Sequence, residues 1–415
     1  MRERSLSMVS RDNMGYRWVV LLIFVVSQIF LSIAGFGWGP LAPFLKNLMS
    51  LSNMQLGTIS STFFFSAAFF AFPAGVIVDR SGVKRGLLLW LGLTGIPLLI
   101  LSFFQHSYTF FLFMVAIAGL GYGMGNPVTS KGLLMEFDKR TRGTAMGIRQ
   151  SAVTVGAAVA GVFLVYLSQR YGPFMALRTI SLMIMAMSIP LFLFYQDPEK
   201  NDFPPGSQRS TRLRFKSLFT NRPLFIVSLG MAMLGFAQGV VTTFVLLYAN
   251  ERLGYSLLAA GSLFSIVMIG GTVGRILWGV VSDRLFHGRR KPVLLLISML
   301  AVLSVTALAF WDDAWPHWLF IPIIIVIGLS TIGWNAIAIV LVAEISPVTE
   351  TATAVGLAST IAWGGLFIGP IIFGGITDYF GYFYAWIFVA FICLACLILY
   401  SFALIPDAKH ESHQN

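Results

Sequence analysis

Twelve long apolar runs, separated by short charged or glycine- and proline-containing breaks, constrain this 415-residue chain more than any other feature. They are expected roughly at 17–45, 54–77, 86–104, 108–136, 143–168, 174–195, 223–250, 257–280, 292–310, 317–344, 351–375 and 382–405. About 20 apolar residues in a helix cross the hydrocarbon core of a bilayer. Backbone polar groups inside lipid must be satisfied within the segment, so helices are the default spanning structure. The runs are continuous, not alternating, which argues against a β-barrel. Charged residues make up 11% of the chain, against about a quarter in a soluble protein. The expectation is an all-α integral membrane protein with 12 transmembrane helices, its solvent the lipid bilayer.

The net charge of +11 raises the question of nucleic acid, and the distribution of the charge answers it. Of 28 Lys and Arg, four (Lys46, Arg170, Arg178 and Arg252) fall on one side of the predicted spans. Three (Lys131, Arg149 and Arg275) fall within spans, and the rest lie on the other side, including Arg2, Arg4, Arg11, Arg17, Arg209, Arg212, Arg214 and Lys216. That asymmetry is the positive-inside pattern, with both termini cytoplasmic. It excludes nucleic acid as the partner. The first apolar run shows no small-residue cleavage site and is expected to stay as a span. Cys393 and Cys396, three apart in the last run, read as small apolar helix residues.

One phrase occurs twice. The first copy is Gly75-Val-Ile-Val-Asp79-Arg80-Ser-Gly82-Val-Lys84-Arg85, and the second is Gly279-Val-Val-Ser-Asp283-Arg284, followed by Gly288-Arg289-Arg290-Lys291. Gly125-Asn126 ahead of Glu136 matches Gly333-Trp-Asn335 ahead of Glu344, and Thr144-Ala-Met-Gly147 matches Thr353-Ala-Val-Gly356. The offsets run from 204 to 209, as expected of an internal duplication. Between the copies lies the one long polar segment, 196–222, with Pro204-Pro205-Gly206-Ser207 and then a basic run, which reads as a linker. The expected domains are a six-helix bundle over 1–195, a cytoplasmic linker over 196–222, and a second six-helix bundle with a short cytoplasmic tail over 223–415.

A membrane chain of two similar halves, each marked by G-x-x-x-D-R and a basic run, resembles the major facilitator superfamily (MFS) of secondary transporters. The resemblance implies the MFS fold, with two pseudo-symmetric six-helix bundles and a substrate site near the midplane. It assigns conformational gating to Asp79, Arg80, Asp283 and Arg284, with Glu136 and Glu344 in the same charge clusters. A carboxylate at these positions can cap a neighbouring helix N-terminus or pair with Arg. The glycines and prolines of spans one, four and eleven are open to two readings, close packing and bending at a gate.

Symmetry separates scaffold from cargo recognition. The offsets place Val340, Ala358 and Ala71 opposite Lys131, Arg149 and Arg275, so the three intramembrane cations have no repeat partner. No Asp or Glu is expected in the middle of a span. An ionised side chain there costs about 2.5–3.5 kcal/mol on insertion scales, and a water-filled cavity awaiting an anion supplies a reason for the cations. The stretch Gly274-Arg275-Ile-Leu-Trp278-Gly279 resembles span eight of branches that carry monocarboxylates or oxalate, which implies a carboxylate contact for Arg275. Lys131 and Arg149 are candidates for the opposite half, and both lie where long side chains also snorkel. Gln150, Asn126, Asn335, Gln28 and Gln238 could orient the anion. Trp278, Trp334 and Trp363 could wall a small apolar tail.

No phosphate-binding G-x-x-x-x-G-K-S/T loop is present, and His106, His287, His317, His410 and His413 all map to loops or the tail. No metal site, no cofactor and no enzyme activity is expected. The reading is a monomeric transporter of the bacterial inner membrane. It moves a small organic anion, most simply a carboxylate, by alternating access, with the cargo held between Arg275 and either Lys131 or Arg149. Proton symport and anion exchange both remain open as its drive. The alternative is an MFS exporter of drugs or metabolites.

Overall fold

The structure, a computed structural model, describes residues 15–103, 107–137, 141–197, 221–311, 315, 317–346 and 351–402. Most of the 196–222 linker, the two chain ends, His106, His410 and His413 lie outside the described residues. Among the described residues, twelve segments are long and apolar enough to cross a membrane, and they fall where the sequence puts them. The described residues form helices and connections, with no strand among them.

Several spans are interrupted, which the hydropathy pattern does not show. Span one divides at Gly37 into α1 (Tyr16–Phe36) and α2 (Trp38–Met49). Span two is α3 (Asn53–Ser81) and span three is α4 (Val83–Leu101). Span four divides at Met124 into α5 (Tyr108–Gly123) and α6 (Gly125–Glu136). After α7 (Arg142–Tyr171), span six divides at Met187 into α8 (Pro173–Ala186) and α9 (Ser188–Phe194). The second half runs through α10 (Arg222–Glu251), α11 (Leu257–Arg284) and α12 (Arg290–Ala309). Span ten is α13 (Phe320–Ile327), one π-helical turn over Gly328–Ile332, and α14 (Asn335–Ile345). The last two spans are α15 (Thr351–Phe380) and α16 (Tyr382–Phe402).

Local chemistry sets the helix starts. Ser107, Asn221 and Ser256 each accept a hydrogen bond from a backbone N–H in the first turn of α5, α10 and α11. At α4 the cap is remote: the Asp197 carboxylate accepts from the N–H groups of Val83 and Lys84 at 3.0 Å each. Gly82, with φ of +90°, makes the sharp turn before that helix.

Several helices run past their expected ends and carry acids into their last turns: Asp79 in α3, Asp283 in α11 and Asp378 in α15. A carboxylate at a helix C-terminus opposes the helix dipole, so each needs a compensating donor, and each has one. Asp79 takes Lys131 and Asp283 takes Arg290. Asp378 accepts from the N–H groups of Asn53 and Met54 at 2.8 Å each, capping α3. The sequence offered Asp79 and Asp283 two roles, capping or pairing; both pair, and Asp197 and Asp378 do the capping.

Contacts divide the chain into two compact units, Met1–Gly37 with Thr62–Pro204, and Trp38–Ser61 with Pro205–Asn415. The first unit packs through glycines that admit neighbouring backbones. A Cβ at Gly119 would lie 2.3 Å from the Phe63 carbonyl oxygen, and one at Gly156 would lie 2.4 Å from that of Ile29. In the second unit α10 and α15 form a reciprocal seam. Gly365 meets the Ala232 carbonyl and Gly369 that of Phe236, while Gly235 and Gly239 meet the carbonyls of Ala362 and Leu366.

Trp38–Ser61 joins the second unit through specific bonds. Lys46 Nζ donates to both Glu251 carboxylate oxygens at 2.7 and 3.0 Å, and to the Asn53 side chain at 2.9 Å. Tyr382 OH donates to Glu251 at 2.8 Å, and Thr243 OH to Ser60 at 3.0 Å. Gly39 and Gly57 lie against the carbonyls of Thr242 and Pro370.

Candidate functional site

In the first unit, the break at Met124 starts α6 with Gly125-Asn126, and Thr129 follows one turn later. Gly125 has no side chain to displace the Trp90 indole, whose ring atoms would lie 3.0 Å from a Cβ there. Asn126 and Thr129 therefore share a face with Gln28 of α1 and Arg149 of α7. Arg149 is 4% exposed. Its guanidinium donates to Asn126 Oδ1 at 2.7 Å, Thr129 Oγ1 at 3.0 Å, Gln28 Oε1 at 3.4 Å and the adjacent Gln150 Oε1. Gln28 is oriented by its own donation to Ser32 at 3.0 Å, and the Thr129 hydroxyl donates to the Gly125 carbonyl.

Among the described residues every acceptor of Arg149 is neutral, and its Nε has no hydrogen-bond partner. The cage orients the guanidinium without cancelling its charge. A cation held this way, away from water, attracts an anion far more strongly than one at the surface. Two of the matching positions of the second unit, those of Thr129 and Arg149, are apolar. Ala338 and Ala358, 209 residues beyond Thr129 and Arg149, are completely buried in a cluster with Trp278, Trp334 and Tyr400.

Lys131 has different company. Its ammonium donates to Asp79 Oδ1 at 2.8 Å and to the Val78 carbonyl at 3.2 Å. The pair lines a cleft of about 350 Å³ with Gly75, Pro127 and Ser130. In the second unit the equivalent acids, Asp283 and Glu344, meet on one residue: Arg290 donates to both and to Ser282. Arg80 and Arg284 are exposed at the ends of α3 and α11, and Glu136 is half-buried at the end of α6.

Arg275 is half-buried on α11, directly after Gly274. That glycine lies against the π turn, where a Cβ would approach the Leu329 carbonyl oxygen to 2.9 Å. The same carbonyl accepts from the Trp278 indole at 2.7 Å, and the Trp334 indole donates to Thr331 at 3.0 Å. Both tryptophans, offered by the sequence as walls for an apolar tail, are buried in the core of the second unit. Asn335, half-buried, opens α14 just after the π turn. The expected site residues thus fall into an Arg149 cage with Asn126 and Gln150 and a Lys131–Asp79 pair, with Arg275 and Asn335 each half-buried on separate helices of the second unit.

Sequence reasoning did not single out Thr129 or Arg290. A lone Thr in a helix carries no signal of its own, and Arg290 is one of three adjacent cations. A scan for hydroxyl and amide side chains within one turn of each intramembrane cation would have found Thr129.

Comparison with known proteins agrees with this architecture. A probable hexose phosphate transport protein of Chlamydia pneumoniae is 23% identical over 393 residues, covering 88% of this chain and 85% of that protein. The membrane sensor protein UhpC of Salmonella typhimurium is 24% identical over 276 residues, 62% of each chain. A probable L-galactonate transporter of Escherichia coli is 24% identical over 268 residues, 60% of this chain and 58% of that one. Among solved structures, a bacterial homologue of the human lysosomal transporter Spinster superposes with a TM-score of 0.80 at 16% identity, over 94% of this chain and 97% of that one. The nucleoside transporter NupG gives 0.77 at 16%, over 94% and 98%. The sequence profile of the Major Facilitator Superfamily matches residues 21–339 and 286–415, and the chain belongs to that family.

Proposed function

We propose that this MFS protein carries a small organic anion across a bacterial inner membrane by alternating access, with both termini cytoplasmic. One observation carries the reading: Arg149 is buried and fully oriented, yet all its acceptors among the described residues are neutral. A cargo carboxylate or phosphate would meet the guanidinium in charge-assisted hydrogen bonds, with Asn126 and Gln150 beside it. Arg275 and Asn335 are the candidate contacts of the second unit. The names of relatives support an anion, since a hexose phosphate and galactonate are both anionic. Lys131–Asp79 and Asp283–Arg290–Glu344 act as latches that hold one conformation until they part.

An anion entering a negative-inside cell works against about 2.3 kcal/mol per charge per 100 mV. A co-transported proton or a counter-moving anion offsets that cost. Similarity to a membrane sensor supports a second reading, in which the anion is bound and sensed without being moved.

Thermal unfolding of the purified protein, titrated with sugar phosphates, sugar acids, monocarboxylates, uncharged sugars and cationic drugs, tests the site. Ligands that bind the folded state raise its stability by mass action. Stabilisation by anions alone, lost in Arg149→Ala, is expected. Stabilisation by cations or neutral compounds alone would replace this reading with the exporter. Flux into proteoliposomes then separates carrier from sensor.

A further inference from the structure

One apolar groove of the first unit has no part in the anion site. It holds about 710 Å³ along α4, where that helix passes α5, and every lining residue but one is apolar. Leu89, Ile96 and Ile100 are exposed along it, with Met114 and Ile117 on the facing helix. Gly92 forms its floor: a Cβ there would meet only Ile96 Cδ1, at 3.8 Å. From Leu88 to Ile100 the helical rise gives about 18 Å, against about 15 Å for one leaflet of the hydrocarbon core. The groove is as long as one acyl chain is deep in the membrane.

The exception is Arg85, in the first turn of α4 at one end of the groove. It is exposed and makes no hydrogen bond or ion pair among the described residues. The repeat explains what it is not. Lys84 donates to the Phe192 carbonyl, and Lys291 to that of Ser401. These lysines stand 207 positions apart (84 and 291) and their acceptors 209 (192 and 401), so they are one contact repeated. The same offset places Pro292 opposite Arg85. On Asp79, the work done by Arg290 on Asp283 falls to Lys131. Arg85 is a cation that the shared scaffold does not use.

We infer that this groove binds an anionic phospholipid, one acyl chain lying along Gly92 and Ile96 and the phosphate on Arg85. The guanidinium presents paired donors that match phosphate oxygens. Basic positions at the ends of transmembrane helices take anionic headgroups on the cytoplasmic side, the side on which the repeated basic loops are expected. Charge and apolar length therefore ask for the two parts of one molecule. Zwitterionic lipid fits the apolar part equally well and gains less at Arg85.

Native mass spectrometry of delipidated protein, titrated with dioleoyl phosphatidylglycerol or dioleoyl phosphatidylcholine, tests the inference. The wild type should retain phosphatidylglycerol about tenfold more tightly, the equivalent of one charge-assisted contact. Arg85→Ala should bring the two lipids to near parity, and Arg85→Lys should keep part of the preference. Gly92→Leu, which fills the floor, should weaken both; Ile117→Trp fills the same space from α5 should that variant not fold. Equal retention of the two lipids by wild type would overturn the proposal, as would an undiminished preference in Arg85→Ala. An equal, Arg85-dependent response to glycerol 3-phosphate, which has no acyl chain, would reduce the site to a free-phosphate contact and overturn it too.

Discussion

At the scale of single residues, two of the three cations that the sequence placed inside the membrane differ in the charge of their neighbours. Arg149 is surrounded by neutral oxygens, and Lys131 faces an aspartate. The two latches also differ in strength. The Asp79 side chain is 72% exposed, so its bond to Lys131 forms at high dielectric and is worth under about 1 kcal/mol. Asp283 is nearly as open at 63%, but Arg290 also serves Glu344, whose side chain is 26% exposed, and a serine. Lys131→Ala is therefore expected to leave thermal unfolding in detergent nearly unchanged, whereas Arg290→Ala should cost about 1–3 kcal/mol because it strands Asp283 and Glu344 together. Equal losses in the two variants would contradict this ranking. The candidate site was legible as far as charge and symmetry reach: Arg149, Gln150 and Asn126 stand out as polar residues in apolar runs. Thr129 did not, since a hydroxyl that donates to a carbonyl of its own helix looks like any helical threonine.

At the scale of elements, glycine positions read as close approaches. Those of α10 and α15 interlock, each admitting the other's carbonyl groups, and the adjacent Gly364 and Gly365 make an internal control. A Cβ at Gly365 would fall 1.8 Å from the Ala232 carbonyl oxygen, while one at Gly364 meets nothing within 4 Å. Gly365→Ala must push two helices apart and is expected to cost at least about 2 kcal/mol or abolish folding. Gly364→Ala should be neutral or slightly stabilising. Melting temperatures of the two variants, measured side by side, decide the point; a benign Gly365→Ala would mean the seam is loose. The hydropathy pattern revealed where spans lie, since length and apolarity fix that. The interruptions at Gly37 and Met124 fall in the glycine-rich stretches of spans one and four, where bending was one of two readings; those at Met187 and the π turn over Gly328–Ile332 were not legible, because a broken span is as apolar as a straight one.

At the scale of the molecule, the duplication was visible in the sequence because it repeats short motifs at nearly constant spacing. The division of the chain into compact units was not, because it depends on pairs hundreds of positions apart. Lys46 with Glu251 and Asn53 with Asp378 are 205 and 325 residues distant, and no local pattern announces either. They assign Trp38–Ser61 to the unit that otherwise begins at Pro205. If the chain is severed between Pro204 and Pro205 and the fragments are made separately, the later fragment lacks α2 and the start of α3. Its Glu251 is then left without Lys46, its Asp378 without two N–H donors, and the carbonyls of Thr242 and Pro370 without the glycines that cover them. Made alone, the later fragment is expected to be degraded; made together, the two should be recovered as a stable pair by affinity capture of either. Removing residues 38–61 from the earlier fragment should abolish that rescue. The short crossing from Trp38 to Ser61 would then be an intramolecular chaperone, a piece of the first-made half that the second half needs in order to finish folding.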